Sequence, residues 1–492
     1  AASASEAARW SSEAAESARV ASEREARYRG ELARLVQGNA RLERDLSRSQ
    51  LSANSARLGV LTLMRTGPMQ MAEVWEDGTA FQQLAARRAT LTATKEEVMA
   101  AQKTRLAVLK REEESLREEE EKLNREKIRQ IRAVKLSREE DASRFGRWPV
   151  LPDRPGPEGR PRYVLMNLLG KGGFSEVFKA YDLVEVRPVC VKIHALAPGW
   201  PSAKKESYVR HAIREYDIHR SLRHPAVVTL LDVLEIDLDT FATVLELCEG
   251  GDLEGVMREH RTLPEREARC VMAQIFSGLR YLASRRVIHY DLKPANILFD
   301  VLGQAKITDF GLSKQVSEGQ TLAGIELTSQ GAGTYWYLPP EAFETGGPAP
   351  PRISSKVGSA ELDVWSAGVI FYSMLYGKKP YGEAMSQEQM LRERVMAVPR
   401  EVDFPARPPV SSEAKDFIRR CLAWNQDNRP DVEAAATDSY ITGCTATTGT
   451  AIAAVVGSGS GGGGGGSSST SSKGGDAALG LRLAVVANNG RR

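Results

Sequence analysis

The segment Ile288-His289-Tyr290-Asp291-Leu292-Lys293-Pro294-Ala295-Asn296-Ile297-Leu298 decides the fold of this 492-residue chain. Its carboxylate, Asp291, can orient a hydroxyl group and take its proton. Lys293 can neutralise charge that develops on a phosphate, and Asn296 offers a neutral oxygen ligand for Mg²⁺. The spacing of these three polar groups predicts a catalytic loop for phosphoryl transfer.

A second segment with a metal-binding carboxylate follows, Thr308-Asp309-Phe310-Gly311. Asp309 supplies the hard oxygen donor that Mg²⁺ prefers. An Asp-rich surface loop is the alternative interpretation. It is disfavoured because both segments follow a glycine-rich loop and a strand lysine in an order typical of ATP-dependent phosphotransfer sites. Asn296 and Asp309 are therefore the predicted metal ligands.

The glycine-rich loop joins two predicted strands. It reads Leu169-Gly170-Lys171-Gly172-Gly173-Phe174-Ser175-Glu176-Val177, and all nine residues are predicted to bind the nucleotide. Glycines allow backbone N–H groups to approach phosphates closely. The pattern G-x-G-x-x-G-x-V is met except at its third glycine, where the small residue Ser175 stands.

Lys192 lies on the next predicted strand, and Glu215 lies on the helix that follows. A strand lysine in this place reaches the α- and β-phosphates and needs a carboxylate to hold it. Taken alone, each residue is more often a surface charge, but the surrounding motifs favour a catalytic pair. Further along the chain, Arg429 is predicted to pair with Glu341 and to lock the helical lobe.

The order of the predicted elements indicates an α+β fold over residues 162–441, with a small β-rich lobe and a larger helical lobe. The helical pattern begins after residue 252. The elements predicted for the small lobe are strands at 163–169, 176–181 and 188–194, a helix near 205–221, and strands near 227–236 and 241–247.

Long helical segments precede this domain. Residues 1–50 are predicted to form a coiled coil, and the alternative is one amphipathic helix that packs on its own chain. Residues 90–146 are predicted to form a charged long helix, for which a coiled coil and a solvated helix both remain open. The residues of the two seams are Ala18, Leu32, Asn39 and Leu46 at position a, Ala21, Tyr28, Leu35 and Leu42 at position d, and then Leu109, Leu116 and Leu123.

The other segments are predicted to be connections. Residues 51–89 are assigned as a connector, residues 147–161 as a proline- and glycine-containing linker, and residues 442–492 as a disordered tail rich in Gly, Ser, Thr and Ala. The net charge of +3 gives no indication of direct nucleic-acid contact. The five cysteines lack the CxxC spacing of zinc sites, and no run of 18 apolar residues indicates a membrane span.

Taken together with Pro339-Pro340-Glu341, the motifs above resemble the eukaryotic protein-kinase superfamily over about residues 162–441. Four stretches resemble the tousled-like kinases within it. They are the glycine-rich segment Leu169–Val177, His289-Tyr290-Asp291, Glu139-Glu140-Asp141-Ala142-Ser143-Arg144-Phe145, and Ile325-Glu-Leu-Thr-Ser-Gln-Gly-Ala-Gly-Thr-Tyr-Trp-Tyr-Leu-Pro-Pro-Glu341. The resemblance implies a bilobal kinase fold preceded by coiled coils, and a serine/threonine kinase that uses ATP and Mg²⁺.

The resemblance also implies partners and a location. Protein substrates would include a histone chaperone of the anti-silencing-function type, and the chain would self-associate through its coiled coil. It would act in chromatin assembly and in DNA replication or repair, in the nucleus, with the cytosol as the other location considered. A catalytically inactive kinase-fold scaffold that assembles partners through the coiled coil is the alternative function, disfavoured because Lys192, Asp291, Asn296 and Asp309 are all intact.

Residue roles carry over from the family as well. Asp291 would accept the proton, and Lys293 with Thr334 forms the pairing typical of serine/threonine kinases. The residues implied to surround the nucleotide, besides the glycine-rich loop, are Lys192 at the phosphates, Cys190 over the adenine, Glu246 and Cys248 at the adenine through their backbones, Asp252 at the ribose, and Leu298.

Three features modify these expectations. Cys190 stands where kinases usually have alanine, and Gly358-Ser359-Ala360-Glu361-Leu362 is an extra segment before Asp363. Tyr290 occupies the place where many kinases carry an arginine that binds a phosphate on the activation loop. Because a tyrosine offers no positive charge, the catalytic lobe is expected to be active without a single phosphate clamp.

Overall fold

This computed structural model describes residues 2–65, 71–98, 103–147, 149–154, 159–172, 175–196, 199–311, 313–315, 335–343 and 361–443. Several predictions fall outside these ranges. They concern Gly173, Phe174 and Thr334, residues 358–360 of the extra segment, and the tail beyond Gly443.

Three helices form a layer that precedes the β-rich lobe: α1 (Ala2–Leu58), α2 (Thr79–Val98) and α3 (Lys103–Ala142). Between α1 and α2 lies an antiparallel hairpin of β1 (Gly59–Arg65) and β2 (Met71–Asp77). The prediction of a connector at 51–89 was therefore wrong, because this segment completes one helix, forms a hairpin and begins another. The single helix predicted at 90–146 is covered instead by the end of α2 and by α3.

Helices α2 and α3 pack antiparallel. The ion pairs Lys95–Glu113 and Arg88–Glu120 join them, with N–O distances of 2.7 and 2.6 Å. The seven-residue leucine repeat of α3 faces this interface and not a second chain. The buried cluster consists of Leu58, Leu84, Leu91, Leu109, Leu116 and Leu123.

Helix α1 packs on the small lobe of its own chain. Ala33 is buried there in a cluster with Val164 and Leu183 of the small lobe, and Ala40 of the same helix is also buried. The predicted seam lies mainly on another face of the helix. Side chains of the seam that stay exposed are Tyr28, Leu35, Leu42 and Leu46. The alternative of a helix packing on its own chain is thus realised, and the exposed seam is left available for a further contact.

The small lobe is built on one antiparallel sheet of six strands in the order β3-β4-β5-β6-β8-β7. Its strands alternate buried and less buried residues because one face covers the lobe's core. The predicted linker at 147–161 contains β3, which pairs with β4, so this part of the chain is a sheet edge. The elements are β3 (Val150–Pro152), β4 (Pro161–Lys171), β5 (Ser175–Asp182), β6 (Arg187–Ala195), α4 (Ser202–His219), β7 (Leu230–Asp237) and β8 (Thr240–Glu246).

The large lobe is mainly helical. Its central helix, α7 (Glu361–Tyr376), is apolar nearly all round and is therefore buried on every side. A Cβ atom on Gly368 of α7 would lie 2.8 Å from the Cβ of Cys421, so only glycine permits this approach to α9. The other helices are α5 (Leu253–His260), α6 (Glu265–Ser284), α8 (Gln387–Arg392), α9 (Ser412–Cys421), α10 (Val432–Ala436) and α11 (Ser439–Thr442).

Short elements at the junction of the lobes carry the polar motifs. They are β9 (Val287–Ile288), a 3₁₀ turn (Pro294–Asn296), β10 (Ile297–Phe299), β11 (Ala305–Ile307) and β12 (Lys314–Gln315). The predicted ion pair is present, with Arg429 Nη1 2.7 Å from Glu341 Oε1. The α+β prediction, with a β-rich lobe, a helical lobe and preceding helices, is confirmed. In the described parts of the chain, no helix has an apolar stretch long enough to cross a bilayer.

Candidate active site

The loop between β9 and β10 holds the predicted catalytic carboxylate. Lys293 Nζ donates to Asp291 Oδ2 at 2.6 Å, and Asn296 Nδ2 donates to the main-chain oxygen of Asp291 at 2.8 Å. The other carboxylate oxygen, Oδ1, is buried and accepts no hydrogen bond from the described residues. This oxygen is therefore the one that can accept a proton from a bound hydroxyl group.

A buried aspartate at the start of α7 holds this loop in place. Asp363 accepts hydrogen bonds from the main-chain N–H groups of His289 at 2.8 Å and Tyr290 at 3.0 Å. Tyr290 has a φ of 69°, a strained conformation that costs about 1–3 kcal/mol and persists only where its surroundings impose it. Burial raises the pKa of Asp363, and these two hydrogen bonds oppose the rise. Asp363 thus fixes the backbone beside Asp291.

Lys192 lies between two carboxylates. Its Nζ is 3.3 Å from Asp309 Oδ1 and 3.9 Å from Glu215 Oε1. Burial alone would lower the pKa of Lys192, but the two negative charges raise it. Lys192 in turn lowers the pKa of Asp309 to about 2. The predicted lysine, its partner on α4 and the predicted metal ligand are therefore brought together.

The residue after Asp309 explains why its carboxylate faces Lys192. Phe310 is fully buried, with its ring centroid 4.6 Å from that of His219 on α4 and 5.3 Å from that of His289. Because Phe310 points under α4, the preceding residue, at a φ of 68°, turns its side chain towards the cleft. The large lobe, the small lobe and the catalytic loop meet at this one phenylalanine.

Asn296 and Asp309 are adjacent through the backbone, because the N–H of Thr308 donates to the main-chain oxygen of Asn296 at 3.0 Å. An amide oxygen and a carboxylate suit a hard divalent cation such as Mg²⁺. No group of three or more His, Cys, Asp or Glu side chains that could hold a metal ion occurs in the described residues. With one amide oxygen and one carboxylate from the chain, an ion bound here would take its other oxygen ligands from nucleotide phosphates and water.

The described ends of the glycine-rich loop pair with each other. Gly170 pairs with Val177 across the two strands, and Lys171 pairs with Glu176. The N–H of Gly172 donates to the main-chain oxygen of Ser175 at 2.7 Å, so a serine at the third glycine position is compatible with this pairing. Leu169, the first residue of the loop, keeps 38% of its surface exposed.

The predicted adenine contacts lie on β6 and at the end of β8. Burial raises the pKa of both Cys190 and Cys248 to about 12, so both thiols stay protonated at neutral pH. The N–H of Glu246 donates to the main-chain oxygen of Thr229 at 2.9 Å, so its main-chain oxygen is the group that could face adenine. Leu298 lies beside this connection, through a bridge to Asp252.

Asp252 has a second task that the sequence did not reveal. Its Oδ1 accepts a hydrogen bond from the N–H of Gly255 at 2.6 Å and so caps α5. Its Oδ2 lies 3.5 Å from Arg132 Nη2 of helix α3. A ribose at this carboxylate would share it with Arg132. Neither Arg132 nor Asp363 was predicted to support the site, because both contacts join residues that are far apart in sequence.

Residues 163–441 match the family model described as Protein kinase domain. Serine/threonine-protein kinase TOUSLED of Arabidopsis thaliana is 47% identical over an alignment of 437 residues that covers 82% of this chain and 61% of the relative. Serine/threonine-protein kinase tousled-like 1-B of Danio rerio is 50% identical over 324 residues, 64% of this chain and 41% of the relative. Serine/threonine-protein kinase tousled-like 2 of Homo sapiens is 50% identical over an alignment of 325 residues, which covers 64% of this chain and 40% of the relative. The chain spans only part of these relatives' lengths. It belongs to the protein-kinase family and, within it, to the tousled-like serine/threonine kinases.

Proposed function

We propose that this chain transfers the γ-phosphate of ATP to serine and threonine hydroxyl groups of proteins, with Mg²⁺ as the metal ion. The observation that supports the proposal most directly is the geometry of Lys192, which joins Asp309 and Glu215 beside the loop of Asp291. Phosphoryl transfer depends mainly on positioning and on electrostatic stabilisation, and this site places its charges for both.

Each polar residue has one task in this proposal. Asp291 Oδ1 orients the acceptor hydroxyl group and takes its proton. Lys293 neutralises charge on the transferred group, and Lys192, held by Glu215, binds the α- and β-phosphates. ATP and Mg²⁺ supply the phosphoryl group and part of its charge neutralisation. The chain's own oxygen ligands for the metal ion are those of Asn296 and Asp309.

An inactive scaffold is the competing proposal. The scaffold is disfavoured because the residues that phosphoryl transfer needs, and that an inactive scaffold could lose, are present. These residues also adopt the arrangement that transfer requires. Asp309 faces Lys192, and Phe310 is buried beneath α4. A scaffold would gain nothing from the strained conformations of Tyr290 and Asp309, each of which costs folding free energy.

The Asp291→Asn variant tests the catalytic proposal. It keeps the shape of the side chain and removes the base, so turnover should fall by about 10²-fold or more while ATP binding changes little. A phosphate-transfer assay measures the first effect, and a thermal shift with Mg-ATP measures the second. Asp416→Asn, which alters an exposed ion pair on α9, is the matched control. Near-normal turnover of Asp291→Asn would refute the assigned role.

The second part of the proposal is self-association through α1. Leu35 and Leu42 are both 68% exposed, one seven-residue repeat apart, and Tyr28 is 72% exposed one repeat earlier. A row of large apolar side chains at this spacing fits the seam of a second helix, and we propose a second copy of this chain as the partner. The opposite face of α1 is already occupied by the small lobe.

Replacing Leu35 and Leu42 by lysine should convert an oligomer into a monomer, because charges would then face each other across the seam. Light scattering measures the mass. A control with methionine at both positions keeps the apolar surface and should remain associated. A monomeric unmodified chain at micromolar concentration would refute self-association.

Location and substrate follow only from the family resemblance. We propose a nuclear protein that acts in chromatin assembly and in DNA replication or repair, with a histone chaperone of the anti-silencing-function type among its substrates. Incubation of the purified chaperone with the chain and Mg-ATP, followed by mass spectrometry, should find phosphate on serine or threonine. The Asp291→Asn variant provides the background. Absence of chaperone modification by a chain that phosphorylates other proteins would refute this substrate.

A further inference from the structure

The end of helix α3 contacts the strand that enters the glycine-rich loop. Glu140 Oε1 accepts a hydrogen bond from the N–H of Leu168 at 3.3 Å, and Leu168 lies two residues before Gly170. Both Glu140 and Leu168 are buried. The stretch 139–145 was part of the family resemblance, but no role followed from it. The contact shows that the carboxylate of Glu140 reaches the strand that leads into the nucleotide-binding loop.

The same end of α3 also contacts the strand that leaves the loop. Ser143 Oγ donates to Glu176 Oε2 at 2.5 Å, and Glu176 is the strand partner of Lys171. Two residues later, Phe145 enters the core of the small lobe, with its ring centroid 6.4 Å from that of Phe178. The loop is thus held at both of its ends by one short stretch of chain outside the sheet.

An arginine of α1 lies beside Glu140 and also pairs with the next residue, with Arg44 Nη2 2.6 Å from Asp141 Oδ1. Arg44 Nε lies 3.4 Å from Glu140 Oε2, and the exposed fractions of the two side chains are 11% and 9%. Arg44 Nη1 also donates to the main-chain oxygen of Gly146 at 2.8 Å. A Cβ atom on Gly146 would lie 2.0 Å from the main-chain oxygen of Glu140, so a glycine is required for this close turn.

The contact between Arg44 and Glu140 also has an electrostatic consequence. Burial raises the pKa of Glu140, and the positive charge of Arg44 is the largest opposing effect. A buried carboxylate that loses its cation is strongly destabilised and must move or take up a proton. In either case its hydrogen bond to Leu168 weakens. The position of Arg44 therefore affects the strand at the start of the glycine-rich loop.

We propose that Glu140 is a positioning residue for the glycine-rich loop, and that Arg44 couples helix α1 to nucleotide binding through it. This inference rests on the proposed kinase function. A loop that is fixed at both ends pays less conformational entropy when it closes over phosphates. Because α1 also carries the exposed seam, a displacement of this helix on association would reach the nucleotide through Arg44, Glu140 and Leu168.

Kinetics of the 492-residue chain test the proposal. Arg44→Gln and Glu140→Gln should each raise the KM for ATP by about tenfold, the scale of one charge-assisted hydrogen bond, and should change kcat by less than about twofold. Arg57→Gln is the matched control, because Arg57 pairs with Glu126 between the same two helices and lies 13 residues after Arg44 along α1. It should leave both constants unchanged.

The double variant distinguishes coupling from two separate effects. If Arg44 acts through Glu140, Arg44→Gln combined with Glu140→Gln should raise KM no further than Glu140→Gln alone. Additive effects, or an unchanged KM in variants that fold normally by circular dichroism, would overturn the proposal. If either variant fails to fold, Ser143→Ala provides the test, since it removes the hydroxyl that donates to Glu176 and accepts from the N–H of Phe145, keeps Arg44 and Glu140, and should raise KM by about threefold.

A second measurement separates failure of the positioning role from failure of the proposed kinase activity. Direct binding of a fluorescent ATP analogue requires no phosphate transfer. A chain that binds the analogue, with weaker binding in Arg44→Gln and Glu140→Gln, would support the positioning role even if no substrate were phosphorylated. Equal binding by the unmodified chain and by both folded variants would refute it.

Discussion

The helical layer of α1–α3 and the helical lobe of α5–α11 use the same kind of ion pair in different surroundings. In the layer, Arg88 and Glu120 are 48% and 35% exposed, and water screens their attraction. In the lobe, Arg429 is fully buried and its partner Glu341 is 12% exposed. The number of ion pairs in a region therefore says little about its stability, since burial decides how much each pair contributes to the free energy of unfolding.

The two regions also differ in their cores. The layer buries a single cluster of six leucines, whereas the lobe buries large aromatic side chains such as Trp365, Phe371 and Phe417 from several helices. A thin core stabilises a region only weakly. The layer therefore depends on the small lobe against which α1 and α3 pack, and, in our proposal, on a second copy of the chain.

The largest expected effect concerns the buried ion pair. Arg429→Met removes the cation and leaves Glu341 buried without a partner, which should lower the free energy of unfolding by about 3–5 kcal/mol. Denaturant unfolding measures the change. Arg419→Met, which removes an exposed pair with Asp416 on α9, serves as control and should have little effect. Equal effects of the two variants would break the comparison.

A smaller and local effect is expected in the leucine cluster. Leu116 is 2% exposed, and Leu116→Ala should destabilise the layer by about 2–4 kcal/mol through lost contacts and a cavity. Hydrogen exchange should become faster in α2 and α3 but not in α6 and α7. Val108→Ala, at a position 62% exposed on the same helix, is the control. Faster exchange throughout the large lobe would mean that the two regions unfold together.

The smallest effect is expected for the exposed pair. Arg88→Gln should cost about 0.2–1 kcal/mol, and about 0.5 M salt should remove most of the difference because it screens exposed charges. Unfolding of the variant and of the unmodified chain, each with and without salt, measures this. A cost that stays the same in high salt would show that the pair is effectively buried, and would weaken the comparison with Arg429.

Short-range spacing made the centre of the site predictable. Asp291, Lys293 and Asn296 lie within six residues, and their mutual contacts follow almost directly from one loop. Asp309 was predictable because the motif Asp309-Phe310-Gly311, placed shortly after the catalytic loop, is seldom found outside phosphotransfer sites. By contrast, the contact of Asp363 with His289 joins residues 74 apart, and no local pattern indicates it. The available signal was an acid in the first turn of a largely apolar helix, and that turn carries two acids, Glu361 and Asp363.

The preceding helices show where pattern reading failed. A seven-residue leucine repeat in α3 was compatible with a second chain or with solvent, yet Leu109, Leu116 and Leu123 pack on their own chain. Proline-rich composition suggested a linker at 147–161, although part of it is an edge strand. In each case periodicity identifies an apolar face but not the surface that will cover it.

The kinase fold could be predicted from the sequence alone, and so could the candidate catalytic carboxylate and the candidate metal ligands, because these residues occur in fixed order with characteristic spacing. Only the tertiary structure decided that α1 and α3 lie against the small lobe and that Arg44 and Glu140 meet beside Leu168. The physical reason is the range of the interactions. Spacing within a loop is set by covalent geometry, whereas contacts between distant segments depend on how the whole chain buries its apolar faces.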